Sequence, residues 1–443
     1  MRIGLTKYKP FARVGIILVS LIAASISNRP GSAATNRFVS PSGNDNGGAN
    51  TCAEPNSPCK TIQNAVNHSA SGDTIELAGG TYVENVTIAG DQNNPPTLTI
   101  QGNPAAPSIV NGNKANSVFT IGNVNDSQTD ANVTFNMLTI TNGNAANQSG
   151  VSAGGGIFAE TANITLSRCT VSGNQSTASL GFGGGIAGAS GTVTVINSTI
   201  AGNSASSLGA AIFAGFGVLT VVNSTISGNS VEGIVSLGTL NLTNTIVAGN
   251  PIADIDFDIV GTNDHNFVGD GSLGGTLTGN PMLGPLQNNG GPTATMALLT
   301  GSRAIDAGDD SVLGPPFDLT TDQRGVGFAR KSGAHVDIGA YESAYLCLKD
   351  NTTGNLLQWD TTTGSYIFTR CSDGFTVSGT GTVGLVNGIH TLTASTSTAR
   401  VSAGLNSGQQ TGGATIYLMV AQGVWETFRI NDTNPAAVCA CTG

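Results

Sequence analysis

Charged and aromatic side chains are scarce in this chain. Of its 443 residues, 10% are charged and 5% are aromatic. Between residues 133 and 250 the charged side chains are Glu160, Arg168 and Glu232. That stretch is too poor in titratable groups for the clustered carboxylates of a glycosidase. Strong helix formers are also few, whereas Gly accounts for 62 residues, which excludes a mainly helical fold and favours short strands joined by tight turns.

Basic charge is scarce as well, since 17 basic residues stand against 27 acidic ones and the formal net charge is −10. An acidic surface opposes nucleic-acid binding, so no nucleic-acid partner is expected. Basic residues precede an apolar run at residues 14–26, and small residues follow up to Ala34, which predicts a signal peptide over residues 1–34. The alternative, an uncleaved anchor, would need about 18 apolar residues. The mature chain is expected to be a secreted or bacterial cell-surface monomer without a transmembrane segment.

Residues 192–250 repeat one pattern as TVTVINSTIAGN, VLTVVNSTISGN and TLNLTNTIVAGN. In the same register, residues Val110, Ile140, Val171, Ile200, Ile226 and Val247 are separated by 30, 31, 29, 26 and 21 residues. Repeats of this length, made of short alternating apolar runs, are typical of a β-solenoid. The sequence therefore predicts stacked coils of parallel strands over residues 86–270.

Asparagines recur at two places in this unit, as Asn197, Asn223, Asn244 and as Asn203, Asn229, Asn250. Identical residues in adjacent coils lie about 4.8 Å apart, so their amides can form a hydrogen-bonded ladder along the axis. A row of amides that holds sugar hydroxyls is the alternative. We expect the structural ladder, because Asn also suits turn conformations.

A short helix is predicted in the segment that precedes the coils, residues 35–85. Thr61 can accept a hydrogen bond as the N-cap, and Ile62, Ala65 and Val66 share one helical face. An uncovered first coil would expose apolar core and unpaired strand edges. This helix is therefore expected to cap the solenoid.

The segment CKTIQNAVNHSASGDTIELAGGTYVENVTI resembles the entry segment of secreted right-handed parallel β-helix proteins of the pectin-lyase-like class. GGGI at residues 154–157 and 183–186, with GAAI at 209–212, resembles the GGxI repeats of polymorphic outer-membrane proteins, although TIxGN replaces their FxxN. The resemblance implies an all-β, single-stranded right-handed parallel β-helix. Pectate lyases of this class need acidic calcium ligands and a Lys or Arg base.

Residues 271–346 contain NNGGP at 288–292, AIDAG at 304–308, TDQRG at 321–325 and DIGAYE at 337–342. These motifs are similar to the choice-of-anchor Q domain, which ends the β-helix regions of bacterial surface proteins. Arg303 stands where that family commonly has Pro. The resemblance implies the end of the solenoid and attachment to a surface. Arg324 is expected to pair with Asp306, Asp322 or Asp337.

The repeat breaks after Val247 at ADIDFDIVGTNDHNFVGDGS, where acidic residues accumulate. In a strand, Asp254, Asp256 and Asp258 would share one face about 7 Å apart. With Asp270 they are candidate ligands for calcium, the one candidate cofactor. A plain solvent-facing strand is the preferred interpretation. Asp264 and His265 are weak catalytic candidates.

Cysteines are few and clustered. Local disulfides are expected among Cys52, Cys59, Cys347, Cys371, Cys439 and Cys441, with metal binding by the last two as the alternative. Cys169, which sits inside a repeat, is expected to be a buried thiol. Alternating residues over 347–443 predict a small antiparallel β domain. Its Trp359, Tyr366 and Trp425 are expected in the core, although a sugar site is an alternative.

Three functions remain open from the sequence. The preferred one is a non-catalytic adhesion or glycan-binding scaffold, because the coils offer many Thr, Ser and Asn side chains that can hydrogen-bond polysaccharide or cell-surface glycan. The first alternative is a calcium-dependent polysaccharide lyase or glycosidase that acts on an outer face. The second is a passive envelope or spacer protein.

Overall fold

The computed structural model describes residues 34–432, apart from gaps at residues 92–93, 123–130, 147–151, 179, 334, 351–352, 361–364, 373–374, 387–388, 396–398, 407–410 and 422–423. The predicted signal peptide, Cys439 and Cys441 lie outside the described residues. In the described part of the chain, no helix is long and apolar enough to cross a membrane.

The chain from Asn36 to Val268 winds as a parallel β-helix, which confirms the predicted fold class. Each coil gives a strand to face A, then to face B, then to face C. Each strand pairs in parallel with the corresponding strand of the next coil. Faces A and C belong to one 14-stranded sheet and face B to an 8-stranded sheet.

The strands of face A are Asn36–Val39, Thr74–Leu77, Thr97–Gln101, Asn132–Asn136, Asn163–Ser167, Thr192–Ile196 and Val218–Val222. The strands of face B are Gly80–Val83, Ser108–Asn111, Thr139–Thr141, Thr170–Ser172, Thr199–Ala201, Thr225–Ser227, Ile246–Ala248 and Phe267–Val268. The strands of face C are Val86–Ile88, Phe119–Ile121, Ile157–Ala159, Ile186–Gly188 and Ile212–Ala214. The long strands Ile234–Thr243 and Ile255–Asp264 follow face C and continue along face A.

The core consists of rows of apolar side chains that point inward from every second strand position. One row on face A is fully buried: Ile100, Phe135, Leu166, Val195, Val221 and Leu242. The turn from face B to face C often begins with a left-handed residue, which favours glycine: Gly202 has φ 66° and Gly228 has φ 68°, while Asn142 takes this position with φ 55°. Because coils of different length share these rows and turns, insertions fall between faces and leave the stack in register.

The N-terminal cap contains the predicted helix, Ile62–His68. Thr61 is its N-cap, and the Thr61 side chain accepts a hydrogen bond from the Asn64 N–H. Ile62 and Ala65 are buried in the main core. Cys52 and Cys59 form a disulfide in the preceding loop, which also contains the 3-10 helix Asn46–Gly48.

Residues 281–343, called the strap below, run along the outside of the coils. The strap contains the antiparallel strands Leu283–Gln287 and Thr295–Leu298 and the 3-10 helix Asp310–Leu313. Short strand pairs also join the turns of adjacent coils, namely Ser152–Ala153 with Gly181–Phe182 and Gln175–Ser176 with Ser204–Ala205.

The C-terminal part contains two antiparallel sheets, as predicted. The first is formed by Tyr345–Lys349, Leu356–Asp360, Ser365–Arg370 and Phe375–Thr380. The second is formed by Thr382–Val386, Ile389–Ser395, Ala399–Asn406, Thr411–Ala421 and Val424–Asp432. Trp359 and Tyr366 are buried in the core of this region.

Candidate functional site

The inner asparagines form a continuous ladder at the turn from face B to face C. Asn203 Nδ2 donates to Asn229 Oδ1 over 3.1 Å, and Asn229 Nδ2 donates to Asn250 Oδ1 over 3.1 Å. The backbone N–H of each donor residue binds the same acceptor oxygen. Asn174 extends the ladder by one coil, since its Nδ2 donates to Asn203 Oδ1. These amides are buried and engaged with one another, so they are not a sugar-binding row.

The ladder ends on Asp254. Asp254 Oδ1 accepts from Asn250 Nδ2 at 2.9 Å and from the Asn250 N–H at 3.1 Å, while Oδ2 accepts from the Asp270 N–H at 2.8 Å. The side chain is buried, and burial raises the pKa of its carboxyl. Its oxygens thus accept three hydrogen bonds within the protein, and the assignment of Asp254 as a calcium ligand stays a prediction.

Among the described residues the four predicted calcium ligands do not gather their oxygens into one group, although Asp254 and Asp270 each accept a hydrogen bond from the other's backbone N–H. Asp254 is buried immediately before the strand Ile255–Asp264, whereas Asp256 is half-buried, so the alternating carboxylates differ in environment. Asp258 is exposed, and so is Ile259, with 56% of its surface accessible. Asp270 instead binds the backbone N–H of Asp254. The regular alternation is lost because the pairing of this strand with Ile234–Thr243 contains register shifts.

The outer asparagines bind the strap instead of forming a continuous second ladder. Asn197, Asn223 and Asn244 occupy the turn from face A to face B with φ of 44°, 43° and 48°. Asn197 Nδ2 donates to the Thr321 carbonyl at 2.8 Å, and Asn244 Nδ2 donates to the Asp309 carbonyl at 2.9 Å. One long contact within the row, Asn244 to Asn223, measures 3.4 Å. Asparagine therefore joins adjacent coils at the turn from face B to face C, and joins the strap to the coils at the turn from face A to face B.

Two buried arginines organise the strap. Arg324 pairs with Asp322 at 2.6 Å, one of the three partners expected from the sequence, and lies over the rings of Phe328 and Tyr341. Arg330 pairs with Glu342 at 2.7 Å, a contact for which the motifs gave no signal.

A cleft of about 350 Å³ opens where the strap meets the last coils, and it is lined by His265, Asp306, Ala307, Gly308, Asp309, Asp310 and His335. His265 takes the turn position of the outer asparagines, with φ 48°. The strap segment 306–310 forms the opposite wall. This arrangement brings the weak catalytic candidates Asp264 and His265 beside acidic residues distant in sequence.

The titratable groups of this cleft lie close together. His265 Nδ1 is 2.7 Å from Asp264 Oδ1. In the part of the chain that the structure describes, Asp264, His265 and Asp309 are the group whose ligand atoms lie within 4.8 Å of one another, as a metal site requires. Nitrogen and carboxylate ligands together suit a transition metal better than calcium. The side chains of Asp264 and His265 are, however, 46% and 51% exposed, so they are weakly held.

Hydrogen bonds help to lower the pKa values of two carboxyls in the cleft, Asp309 and Asp310. The Asp309 carboxylate accepts hydrogen bonds from the Ser311 hydroxyl and the Ser311 N–H, and these lower the pKa of Asp309. Burial raises the pKa of Asp310, but the hydrogen bonds from Lys331 at 2.6 Å and from the Val336 N–H, together with the attraction of Lys331 and His335, lower it overall. His335 Nδ1 also lies 3.3 Å from Asp310. Ionised carboxylates here favour binding of a cation over donation of a proton.

The outside of face A carries a regular array of uncharged polar side chains that was not predicted from the sequence. One row, called row 1, places Thr in the same register of consecutive coils: Thr74, Thr99, Thr134, Thr165, Thr194 and Thr220. Asn36 and Asn241 continue this row at its two ends. All these side chains are at least partly exposed. The signal in the sequence was the Thr between the two apolar residues of TVTV and VLTV.

A second row, called row 2, lies two residues earlier on the same strands: Thr97, Asn132, Asn163, Thr192, Val218 and Thr239. Asn163 Nδ2 donates to Asn132 Oδ1 at 3.0 Å, so neighbouring amides hold each other in place. On the other side of row 1, Ile196 and Val222 are covered by strap residues including Val312 and Phe317. The strap therefore borders the array without covering rows 1 and 2.

Two predicted cysteine environments can be placed. Cys169 is a free, fully buried thiol, and burial raises its pKa to about 12, so it has no reactive thiolate. Cys371 is disulfide-bonded. The side chains of Cys347 and Trp425 are outside what the structure describes.

Known proteins show little similarity to this chain. No protein-family model matches the sequence, and a search of curated proteins finds no relative. The crystal structure of pectate lyase Pel9A is similar with a TM-score of 0.29 and 13% identity, over 71% of this chain and 97% of that chain. At this identity and TM-score, the likeness extends neither to activity nor to individual residues. The chain is a parallel β-helix protein, and its resemblance to the choice-of-anchor Q domain stays a prediction.

Proposed function

We propose that this protein is a secreted or cell-surface scaffold that binds neutral glycan without turnover. The observation that supports the proposal is the array on face A, where hydroxyl and amide groups repeat from coil to coil without a charged side chain in rows 1 and 2. Hydroxyls and amides both donate and accept, as sugar hydroxyls do. A neutral ligand also avoids the repulsion that the acidic chain would impose on an acidic polysaccharide.

The low charge of the coils supports binding over catalysis. Arg168 reaches Asn136 on face A at 3.3 Å, and Glu232 accepts a hydrogen bond from the Gly209 N–H. Both groups are engaged in contacts between adjacent coils. The array therefore lacks the convergent carboxylates or calcium-binding acids that polysaccharide cleavage needs.

A paired screen tests this function. The purified protein is offered to a glycan array and, separately, to pectate, alginate and neutral polysaccharides with calcium, and product release is followed. Binding of neutral glycan without turnover is the expected result. Lyase or hydrolase activity would refute the proposed function. The absence of both glycan binding and product release would favour a passive spacer.

A carbohydrate-active enzyme is the second candidate, supported by the cleft of Asp264, His265 and Asp309. Asp264→Asn and His265→Ala should then abolish product release, whereas Asp256→Asn, a matched change on the same strand outside the cleft, should leave it intact. Activity that survives both cleft changes would remove this candidate.

A further inference from the structure

We propose that rows 1 and 2 bind the ordered surface of a crystalline neutral polysaccharide, and not a single soluble chain. This inference rests on the proposed glycan-binding function and assigns it to a face and a physical form of ligand. Rows 1 and 2 supply a two-dimensional lattice of contacts. The spacing is about 4.8 Å from coil to coil and about 6.7 Å between the rows.

The regularity of the array is the first argument. The pairings that set row 1 contain no register shift from Thr74 to Thr220. A lattice that keeps its spacing over many coils can match a partner only if that partner also repeats without bending. A crystalline surface has this property, whereas a dissolved chain changes its local conformation from unit to unit.

Entropy is the second argument. Thr is β-branched and has few χ1 rotamers in a strand, so it loses little freedom when it binds. Each hydroxyl contributes only weakly on its own, because binding exchanges its hydrogen bonds to water for hydrogen bonds to the ligand. A flexible polysaccharide would lose conformational entropy at each bound sugar unit, and this loss offsets the free energy gained from such weak hydrogen bonds. Chains already fixed in a solid have no such loss, so many weak contacts add up.

The chemistry of the array favours a hydroxyl-rich neutral surface. Rows 1 and 2 contain Thr and Asn with a single Val218, and no aromatic side chain on which a free sugar ring could stack. They also lack charge, which fits a partner that has none. The side chains are short, so the contacts reach a flat face and do not wrap a strand. Cellulose and chitin share this chemistry.

Binding to solids tests the proposal. The full chain is titrated onto microcrystalline cellulose and onto chitin powder, and onto soluble cellohexaose and chitohexaose. The triple variant Thr134→Val, Thr165→Val, Thr194→Val removes three hydroxyls and keeps β-branched side chains of the same shape. The matched control is Thr87→Val, Thr120→Val, a pair in register on the outside of face C.

The expected result is binding of wild type to at least one solid, weak or no binding to the soluble oligosaccharides, and at least a ten-fold loss in the triple variant at an unchanged Tm. The control should bind like wild type. Equal binding by the triple variant, or equally tight binding of the soluble hexasaccharides, would overturn this proposal while leaving the glycan-binding function standing. No binding to solid or soluble glycan would overturn both.

A second crystalline surface serves as a competing outcome. An ice lattice also repeats and carries no net charge, and water can bind to Thr. Thermal hysteresis of freezing is therefore measured for wild type and for the triple variant. Hysteresis that the triple variant loses, without binding to either polysaccharide, would assign the array to ice and refute the polysaccharide.

Discussion

The coils and the strap lie side by side but are held together by different forces. The coils between residues 163 and 250 stack through apolar rows and an amide ladder in which every residue repeats the contact made by the one before. The strap has few repeated contacts and depends on buried ion pairs, Arg324 with Asp322 and Arg330 with Glu342. A repeated neutral contact tolerates changes of loop length, whereas a unique charged contact fixes one position. The comparison predicts that substitutions in the buried ion pairs of the strap lower the free energy of unfolding strongly and affect the strap first. Substitutions in the ladder should lower it less and affect several neighbouring coils.

The largest effect is expected from Arg330→Ala. The change leaves the buried Glu342 carboxylate without its cation and removes the bond from Arg330 Nη1 to Asn197 Oδ1. Breaking one side of a buried pair costs about 3–5 kcal/mol. Urea unfolding should report that loss, and hydrogen exchange should rise in residues 320–343 before it rises in the coils. The control Lys331→Ala, in the exposed pair with Asp310, should cost about 0–1 kcal/mol.

The double variant Arg330→Met, Glu342→Gln sharpens this test. It removes both charges from the buried site, so most of the stability lost in Arg330→Ala should return. If Arg330→Ala and Lys331→Ala prove equally mild, the strap does not depend on its buried charges and the comparison fails.

A smaller effect is expected from Asn229→Ala in the middle of the ladder. The change leaves the Nδ2 and backbone N–H of Asn203 without their acceptor, Asn229 Oδ1. Unsatisfied buried donors cost about 1–3 kcal/mol. Hydrogen exchange should increase in the coils on both sides of Asn229. The control Asn241→Ala, in the partly exposed continuation of row 1 where water can replace its hydrogen bonds with Thr220 and Thr262, should cost less than about 1 kcal/mol. Equal losses would show that the ladder has no special role.

The smallest effect is a dependence on pH with opposite sign in the strap and in the cap. Burial first, and then repulsion from Glu342, raises the pKa of Asp337 well above 3.8. In the folded protein, the Asp337 carboxyl therefore favours its neutral, protonated state. The stability that it contributes is complete below its unfolded pKa and is lost as pH rises through the folded pKa. The free energy of unfolding of wild type minus that of Asp337→Asn should fall as pH rises.

Asp73 in the cap provides the opposite case. Burial acts to raise its pKa, but hydrogen bonds from the Ala70 and Thr35 N–H groups, the Thr35 hydroxyl and Arg37 lower it below 3.8 overall. Its contribution is present above the unfolded pKa and is lost as pH falls through the folded pKa. The free energy of unfolding of wild type minus that of Asp73→Asn should therefore increase as pH rises. If this difference changed with pH in the same direction for Asp73 and Asp337, the opposite pKa shifts of the two carboxyls would be contradicted.

The sequence predicted the parts of the fold that depend on local repetition. The register of Val171, Ile200, Ile226 and Val247 is the register of face B, because each coil places its apolar residue opposite the previous one. The cap helix at Thr61 depends on a local side-chain contact and was predicted for the same reason.

The candidate site depends on contacts that a sequence pattern does not encode. Gln323 binds Thr170 across 153 residues, and Arg330 binds Asn197 across 133 residues. The cleft around His265 forms only because the strap returns to the coils. Asp254 was misplaced for a different reason: alternation with Ile255 and Phe257 predicted a strand position, whereas its carboxylate is the final acceptor of the ladder.

The position of Asp254 at that end gives the ladder a direction. Each amide donates toward the next coil, and a carboxylate accepts without offering an amide hydrogen in return. Gain or loss of a whole repeat should therefore be tolerated between Asn174 and Asn250, where every unit offers the same donor and acceptor. A unit added beyond Asp254 would find no side-chain amide donor, because Asp254 offers only its backbone N–H, which already donates to Asp270 Oδ2. The amide ladder can therefore lengthen by duplication of coils before Asp254, and this one residue marks where the ladder stops, although the strands Ile255–Asp264 and Phe267–Val268 continue the solenoid beyond it.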